Sequence, residues 1–176
     1  MEKTKEMDSK FKRIVYEYLP YVILIILVLL MKRFIVSPIK VNGSSMEKTL
    51  YDGDIMILNI IGYRFSEVQR FDIVVVDLKN TSSHEYIIKR VIGLPGDDVE
   101  YKDNELWVNE KKVEDSYAVG KTEDFHIVVP EGKYFVLGDN RENSVDSRVF
   151  GPFSKKEILG KTNLILFPFN RAGKKE

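Results

Sequence analysis

The amino-acid sequence predicts a mainly β protein, an antiparallel two-sheet β core with a small β insertion, placed behind one N-terminal transmembrane helix. Three features lead there. Residues 14–36 form an apolar run interrupted only by Glu17, Lys32 and Arg33. From Pro38 onward the chain breaks into short runs rich in Val, Ile, Tyr and Phe, divided by Asp-Gly, Pro-Gly-Asp, Asp-Asn and Gly-Asp turn signals. No helical periodicity alternates with those runs, so βαβ units and a parallel sheet are not expected.

Residues 1–13 are polar and carry Lys3, Lys5, Lys10, Lys12 and Arg13, which reads as a short tail. The uncharged centre of the following run, residues 18–31, would be apolar on every side of a helix, which suits lipid better than a protein surface. Its reach is about 21 Å against a hydrocarbon core of ~30 Å. Lys32 and Arg33 can snorkel to one interface, while Tyr16, Tyr18 and Tyr21 suit the other. A buried core helix is one alternative. A cleaved secretory signal is another, but the residues after the run, Met31, Lys32, Arg33, Phe34 and Ile35, are all bulky. The expectation is an uncleaved anchor over 14–36, a single pass of the cell membrane with the lipid bilayer as partner. The excess of basic residues before the span favours a cytoplasmic N-terminus and an extracytoplasmic remainder.

Strands are expected at 39–41, 55–59, 73–77, 86–93, 99–102, 105–108, 125–129, 134–137 and 161–167. A helical turn is expected at 154–159, with Ser154 as cap three residues before Glu157. The stretch 97–131 is more charged than its surroundings, holds the only tryptophan, Trp107, and has Lys102-Asp103-Asn104-Glu105 as a hairpin tip. It reads either as a small β insertion (cap) on a core of 37–96 and 132–176, or as ordinary surface hairpins of one domain.

Composition narrows the function. Lys+Arg and Asp+Glu are equal at 27 each, so no net field attracts nucleic acid, and no nucleic-acid partner is expected. The absence of cysteine removes disulfides, zinc-thiolate sites and a cysteine nucleophile together. Neither of the two histidines, His84 and His126, lies in a segment that suggests catalysis.

Three segments carry candidate chemistry. The first is Val41-Asn42-Gly43-Ser44-Ser45-Met46-Glu47-Lys48-Thr49-Leu50, which alone reads as a turn; its place soon after the anchor would put a nucleophile near a bilayer. The second is the predicted strand 86–93. Period-two alternation puts Ile87, Lys89 and Val91 on one face and Ile88, Arg90 and Ile92 on the other. Lys89 is then either a dry amine of lowered pKa, able to take a proton from a hydroxyl, or an edge-strand lysine reaching into water. This segment alone favours the second. The third, residues 138–152, interleaves Asp139, Arg141, Asp146 and Arg148. An EF-hand pattern fails there, because Arg141 occupies a ligand position and Phe150 replaces the final Glu. No metal site is expected; the alternatives are a loop held by charge-assisted hydrogen bonds and a solvated turn.

In this order and behind this anchor, the segments strongly resemble the boxes of bacterial type I signal peptidases, Ser/Lys serine proteases, in particular the small Gram-positive type. Ser45-Met46-x-x-Thr49-Leu50 is similar to the nucleophile box, Lys89 through Asp97 to the general-base box, Gly138 through Arg148 to the third, and Asp52-Gly53-Asp54-Ile55 to an intermediate strand box. The likeness runs from the anchor to about Gly160. It implies Ser45 as nucleophile and Lys89 as general base, with Ser144 hydrogen-bonding and orienting Lys89. It also implies an oxyanion and substrate region at Gly43, Ser44 and Met46, with the Ser45 N–H as donor, and structural support from Arg90, Asp139, Arg141, Asp146 and Arg148. The implied substrates are secreted preproteins with signal peptides cut after small-x-small sites, bound along a β-strand edge, and no cofactor is implied. Two departures stand out. Lys48 replaces a frequent Pro, and Gly43 stands where some members supply a second, side-chain oxyanion donor. A self-cleaving repressor-type peptidase would need a DNA-binding N-terminus in place of the apolar run. A membrane-tethered binding domain would not need Ser45, Lys89 and Ser144 together.

Overall fold

One helix, α1 (Glu2–Phe34), fills most of the N-terminal unit, which separates from the rest of the chain between Val36 and Ser37. The computed structural model describes residues 2–78 and 85–175. The helix runs through the expected limit between tail and anchor at residue 14, because Glu, Lys and Met are good helix formers and the polar stretch joins the helix. The helix stops at Phe34, two residues short of the expected limit, where the chain enters β1 (Val36–Lys40). Every residue from 22 to 30 is 47–60% exposed. Among the described residues no helix is long and apolar enough to cross a membrane, and the span expected over 14–36 is not supported as such.

The second unit is β-rich. After β1 come β2 (Ile55–Asn59), a one-turn helix α2 (Gly62–Phe65), β3 (Ile73–Asp77) and β4 (Tyr86–Gly93). Next are β5 (Asp98–Lys102), β6 (Glu105–Val108), β7 (Lys111–Val113) and β8 (Phe125–Val128). The chain finishes with β9 (Lys133–Leu137), a short helix α3 (Ser147–Phe150), β10 (Phe153–Ser154), β11 (Ile158–Phe167) and β12 (Gly173–Lys174).

Where two core sheets are expected, one eight-stranded sheet runs β1-β2-β11-β3-β4-β9-β10, with β12 on β11. The joining element is β11, longer than the seven residues foreseen, which pairs with β2 through Lys161↔Asn59 to Phe167↔Ile55 and with β3 through Ile158↔Val76 to Lys161↔Val74. Register shifts along both pairings let it serve two neighbours in sequence. A separate four-stranded antiparallel sheet, β7-β6-β5-β8, is built from residues 98–128. Its β5–β6 turn has Asp103 and Asn104 at φ 51° and 65°, the left-handed pair that a tight hairpin requires.

The expected helical turn at 154–159 is only a turn. Ser154 N–H and Oγ both donate to Glu157 Oε2, but Ile158 is drawn at once into β11. The helix forms earlier, at α3, where Asp146 accepts the Arg148 N–H as its cap.

Alternation along the central strands sorts the core. Val74, Val76, Ile87, Val91 and Val136 lie in one apolar cluster. Ile73, Val75 and Ile88 lie in a second, around Met46 and Leu50, and Ile92, Phe135 and Leu137 join Val99, Tyr101 and Leu106 of the small sheet in a third. Residues 89 and 90, on opposite faces of β4, sit in the middle of this arrangement.

Gly160 tests the sheet. A Cβ there would overlap the Asn59 carbonyl oxygen, backbone that cannot swing aside. Gly160→Ala is expected to cost about 1–3 kcal/mol in urea unfolding; unchanged stability would mean β11 does not approach β2 this closely.

Candidate active site

The site is assembled on β4. The faces read from sequence are the ones formed: Val74 is the cross-strand partner of Lys89, and Leu137 that of Arg90. Lys89 therefore stands between Ile87 and Val91 with valine across from it, and only 3% of it is exposed. That decides between the two readings of this lysine. Burial lowers its pKa from 10.5 to about 8; Asp146 and Asp139 push in the opposite sense, and Arg148 adds to the lowering. Its Nζ donates to Ser45 Oγ at 2.6 Å. A neutral amine in that position has a lone pair directed at the serine proton, the geometry of an activated nucleophile.

Arg90, one residue on, points to the opposite face and is fully buried. Its Nε and Nη2 donate to the two Asp139 oxygens at 2.8 and 2.7 Å, and its Nη1 donates to the Phe71 carbonyl at 2.9 Å. Asp139 Oδ2 also accepts from Thr49 Oγ1 at 2.5 Å. One carboxylate thus ties the serine turn, the lysine strand and the third segment together. Further bonds close the same junction. The Asn140 N–H donates to the Ser45 carbonyl at 3.1 Å and its side-chain amide to the Ser44 carbonyl at 3.2 Å. Asn143 Nδ2 donates to Ser44 Oγ at 2.6 Å.

Asp146 and Arg148 form a second pair, at 2.8–2.9 Å through two nitrogens, and Gly138 N–H adds a bond to Asp146 at 3.0 Å. Burial raises the Asp146 pKa, but Arg148 and the Gly138 N–H outweigh it and hold the carboxyl below its ordinary range. Arg141 is buried, donating to the Gly138 carbonyl, Tyr101 Oη and Asp115 Oδ2 at 3.0, 2.7 and 2.5 Å.

A groove of about 350 Å³ opens beside the pair, lined by residues 41–46 with Tyr86, Ile87, Ile88, Asn143 and Val145. Gly43 lies on its wall with its N–H on Asp52, Ser44 is half-buried, and Met46 is buried in the core beneath. The expected Ser144–Lys89 hydrogen bond is not made: Ser144 Oγ is buried, packed on Gly138 and beside Asp146, whose pKa it helps to lower, and the amine is engaged by Ser45. His126 lies on β8, bonded to Asp98, and His84 lies outside the described residues. Among the described residues no cluster is placed to hold a metal ion.

Sequence reasoning gave no role to Thr49, Asn140, Asn143, Asp115 or Tyr117. The first three lie inside the recognised segments, and a count of polar side chains flanking Ser45 and Asp139 could have raised them. Nothing local marks Asp115 or Tyr117, whose partners lie 26 and 27 positions away in the chain.

A serine hydroxyl hydrogen-bonded to a dry amine beside an open groove is the equipment of a serine peptidase. The family model for signal peptidases, peptidase S26, matches residues 15–167. The chain belongs to that family. It is 38% identical to a signal peptidase I of Bacillus amyloliquefaciens, over 99% of each chain, and 39% identical to signal peptidase I S of Bacillus subtilis over 96% of this chain and 97% of that one. A crystal structure of a signal peptidase I from Enterococcus faecalis is 37% identical, covering 55% of this chain and 97% of that chain with a TM-score of 0.49.

Two outcomes follow from this geometry. A Cβ on Gly138 would overlap both the Ser45 carbonyl oxygen and Ser144 Oγ. Gly138→Ala is expected to displace the serine turn and lower kcat by about a hundredfold in protein that still folds; wild-type kcat would show that the approach is looser. The second concerns stability. Between pH 10.5 and about 8 the unfolded chain keeps the Lys89 proton that the folded chain releases, so stability rises with pH across that window. The deficit is complete below about pH 8 and amounts to roughly 3 kcal/mol. Lys89→Met is therefore expected to raise stability at pH 7 by about 1–3 kcal/mol, with the gain fading toward pH 10 in urea titrations. A variant less stable than wild type at pH 7 would mean the amine bears no desolvation stress.

Proposed function

We propose that the protein is a membrane-bound endopeptidase that removes N-terminal signal peptides from secreted preproteins after small-x-small sites, using Ser45 as nucleophile and Lys89 as general base. The observation that carries the mechanism is the 2.6 Å contact between Lys89 Nζ and Ser45 Oγ, with only 3% of the lysine exposed.

In the proposed reaction Ser45 Oγ attacks the scissile carbonyl as its proton passes to Lys89 Nζ. Lys89 then gives that proton to the leaving amine, and water, activated by the same amine, releases the acyl group. The developing oxyanion takes the Ser45 N–H, with other donors needed because Gly43 has no side chain to offer. Ser144 is kept as the residue that orients the amine: its hydroxyl is buried against Gly138, near the Ser45 carbonyl and Asp146. Gly43, Ser44 and Met46 border the substrate groove, whose apolar lining suits small side chains. The 97–131 stretch, which carries the small sheet, is proposed to cap a core of 37–96 and 132–176.

Membrane attachment is proposed from the apolar side chains of residues 22–30, all about half exposed, for which acyl chains would replace water. Lys3, Lys5, Lys10, Lys12 and Arg13 before this stretch outnumber Lys32 and Arg33 just after it, which favours a cytoplasmic N-terminus with the peptidase outside.

The test is incubation of detergent-solubilised protein with a precursor carrying an Ala-x-Ala site, with mass spectrometry locating the cut. Ser45→Ala and Lys89→Ala are expected to lose at least about a thousandfold in kcat while remaining folded, and replacement of both histidines to leave turnover intact. Because the amine must be neutral, kcat/KM is expected to rise about tenfold per pH unit up to a plateau above about pH 8. Retained cleavage by Lys89→Ala, or a profile flat from pH 6 to 9, would end the lysine assignment.

A further inference from the structure

Between β7 and β8 the chain passes close to the catalytic junction, and three alternate residues there grip it. Asp115 Oδ2, on a side chain 4% exposed, accepts from the fully buried Arg141 at 2.5 Å and from Tyr101 Oη at 3.2 Å. The Tyr117 ring lies over the Arg90 guanidinium, 3.6 Å from Cζ to the ring centroid, with Phe71 packed on the ring at 5.4 Å. Val119 brackets Asn140: its N–H donates to the Asp139 carbonyl at 2.8 Å and its carbonyl accepts the Arg141 N–H at 2.9 Å.

We infer that the segment bearing Asp115, Tyr117 and Val119 is a positioning strap for catalysis, which holds Arg90, Arg141 and Asn140 so that the Ser45 turn keeps its register against β4. The inference rests on the Ser45/Lys89 reading. Each grip acts one residue away from a group that matters. Arg90 adjoins Lys89 on β4, and its in-plane nitrogens are taken by Asp139 and Phe71, so the aromatic face of Tyr117 is what covers the plane of the cation. Covering it keeps water from the Arg90–Asp139 bonds, which are stronger for being dry. Asn140 holds the carbonyls of Ser44 and Ser45, and Val119 fixes the backbone on both sides of it. Arg141, held by Asp115, in turn holds the carbonyl of Gly138, the residue on which the Ser45 carbonyl packs. The strap touches none of the reacting atoms, so its residues are positioning residues.

The experiment compares Tyr117→Ala, Tyr117→Phe and Asp115→Asn with wild type and Ser45→Ala on the same precursor. Each is assayed at a temperature equally far below its own Tm. Tyr117→Ala and Asp115→Asn are expected to lower kcat by about tenfold with KM within twofold, because small misplacement of reacting groups is costly to the chemical step and not to binding. Tyr117→Phe, which keeps the ring, is expected to restore kcat. A role confined to stability would lower Tm and leave kcat unchanged, and that result overturns the inference, as does a Phe variant as slow as the Ala variant. If Tyr117→Ala does not fold, the Asp115→Asn kcat decides alone. Activity retained by Ser45→Ala would instead overturn the reading on which the strap rests.

Discussion

The Arg90–Asp139 pair is the constraint on which the site depends. Both side chains are wholly removed from water, and an isolated charge in that position costs several kcal/mol. Each must therefore find the other, bidentate and with its remaining polar atoms satisfied. Arg90 meets that demand through Phe71 and Tyr117, and Asp139 through Thr49. Thr49 follows the serine by four residues and Arg90 follows the lysine by one, so their shared bonds to Asp139 draw the serine turn and β4 together. Loss of either partner would strand a buried charge at a cost of roughly 3–5 kcal/mol. The geometry of the Ser45–Lys89 contact is thereby tied to the stability of the fold.

Two cations adjacent on one strand meet opposite fates because β alternation sends them to opposite faces. Arg90 enters a face where the Asp139 carboxylate receives it. Lys89 enters a face of valine and isoleucine and, among the described residues, has no carboxylate in hydrogen-bond contact. The choice of residue follows: a guanidinium holds its proton in any protein environment, whereas an ammonium releases it when desolvated. Exchanging the two residues would leave neither face with a group it can accommodate.

Much of this was legible in the sequence. The 86–93 strand and its alternation came directly from its apolar period, as did the bounds of β2, β3 and β6, and the boxes identified the segments that meet. Sequence could not tell whether Lys89 reached water, because that depends on Val74, fifteen positions earlier, and on a serine turn further back still. One sheet replaced the two expected because a ten-residue β11 can pair on both edges, a fact of register and not of composition. The helical turn at 154–159 failed for a related reason. Ser154 and Glu157 made their local bonds, yet pairing of Ile158 with Val76 took the chain away from the helix. Asp115 and Tyr117 were invisible because their meaning lies wholly in long-range contacts.

The third segment does more than hold a shape. Burial lowers the Lys89 pKa, and two buried carboxylates, Asp146 and Asp139, lie close enough to oppose it by favouring the ammonium form. Each carries an arginine. Arg90 takes both oxygens of Asp139, and Arg148 takes both oxygens of Asp146 while itself adding to the lowering of Lys89. The carboxylates are needed to organise the backbone: Asp139 for Thr49, Asp146 for the Gly138 N–H and the start of α3. The arginines make that organisation compatible with a neutral amine nearby. Interleaved Asp and Arg in residues 139–148 is thus the pattern expected where a loop must use carboxylates for structure without supplying net negative charge to the proposed base.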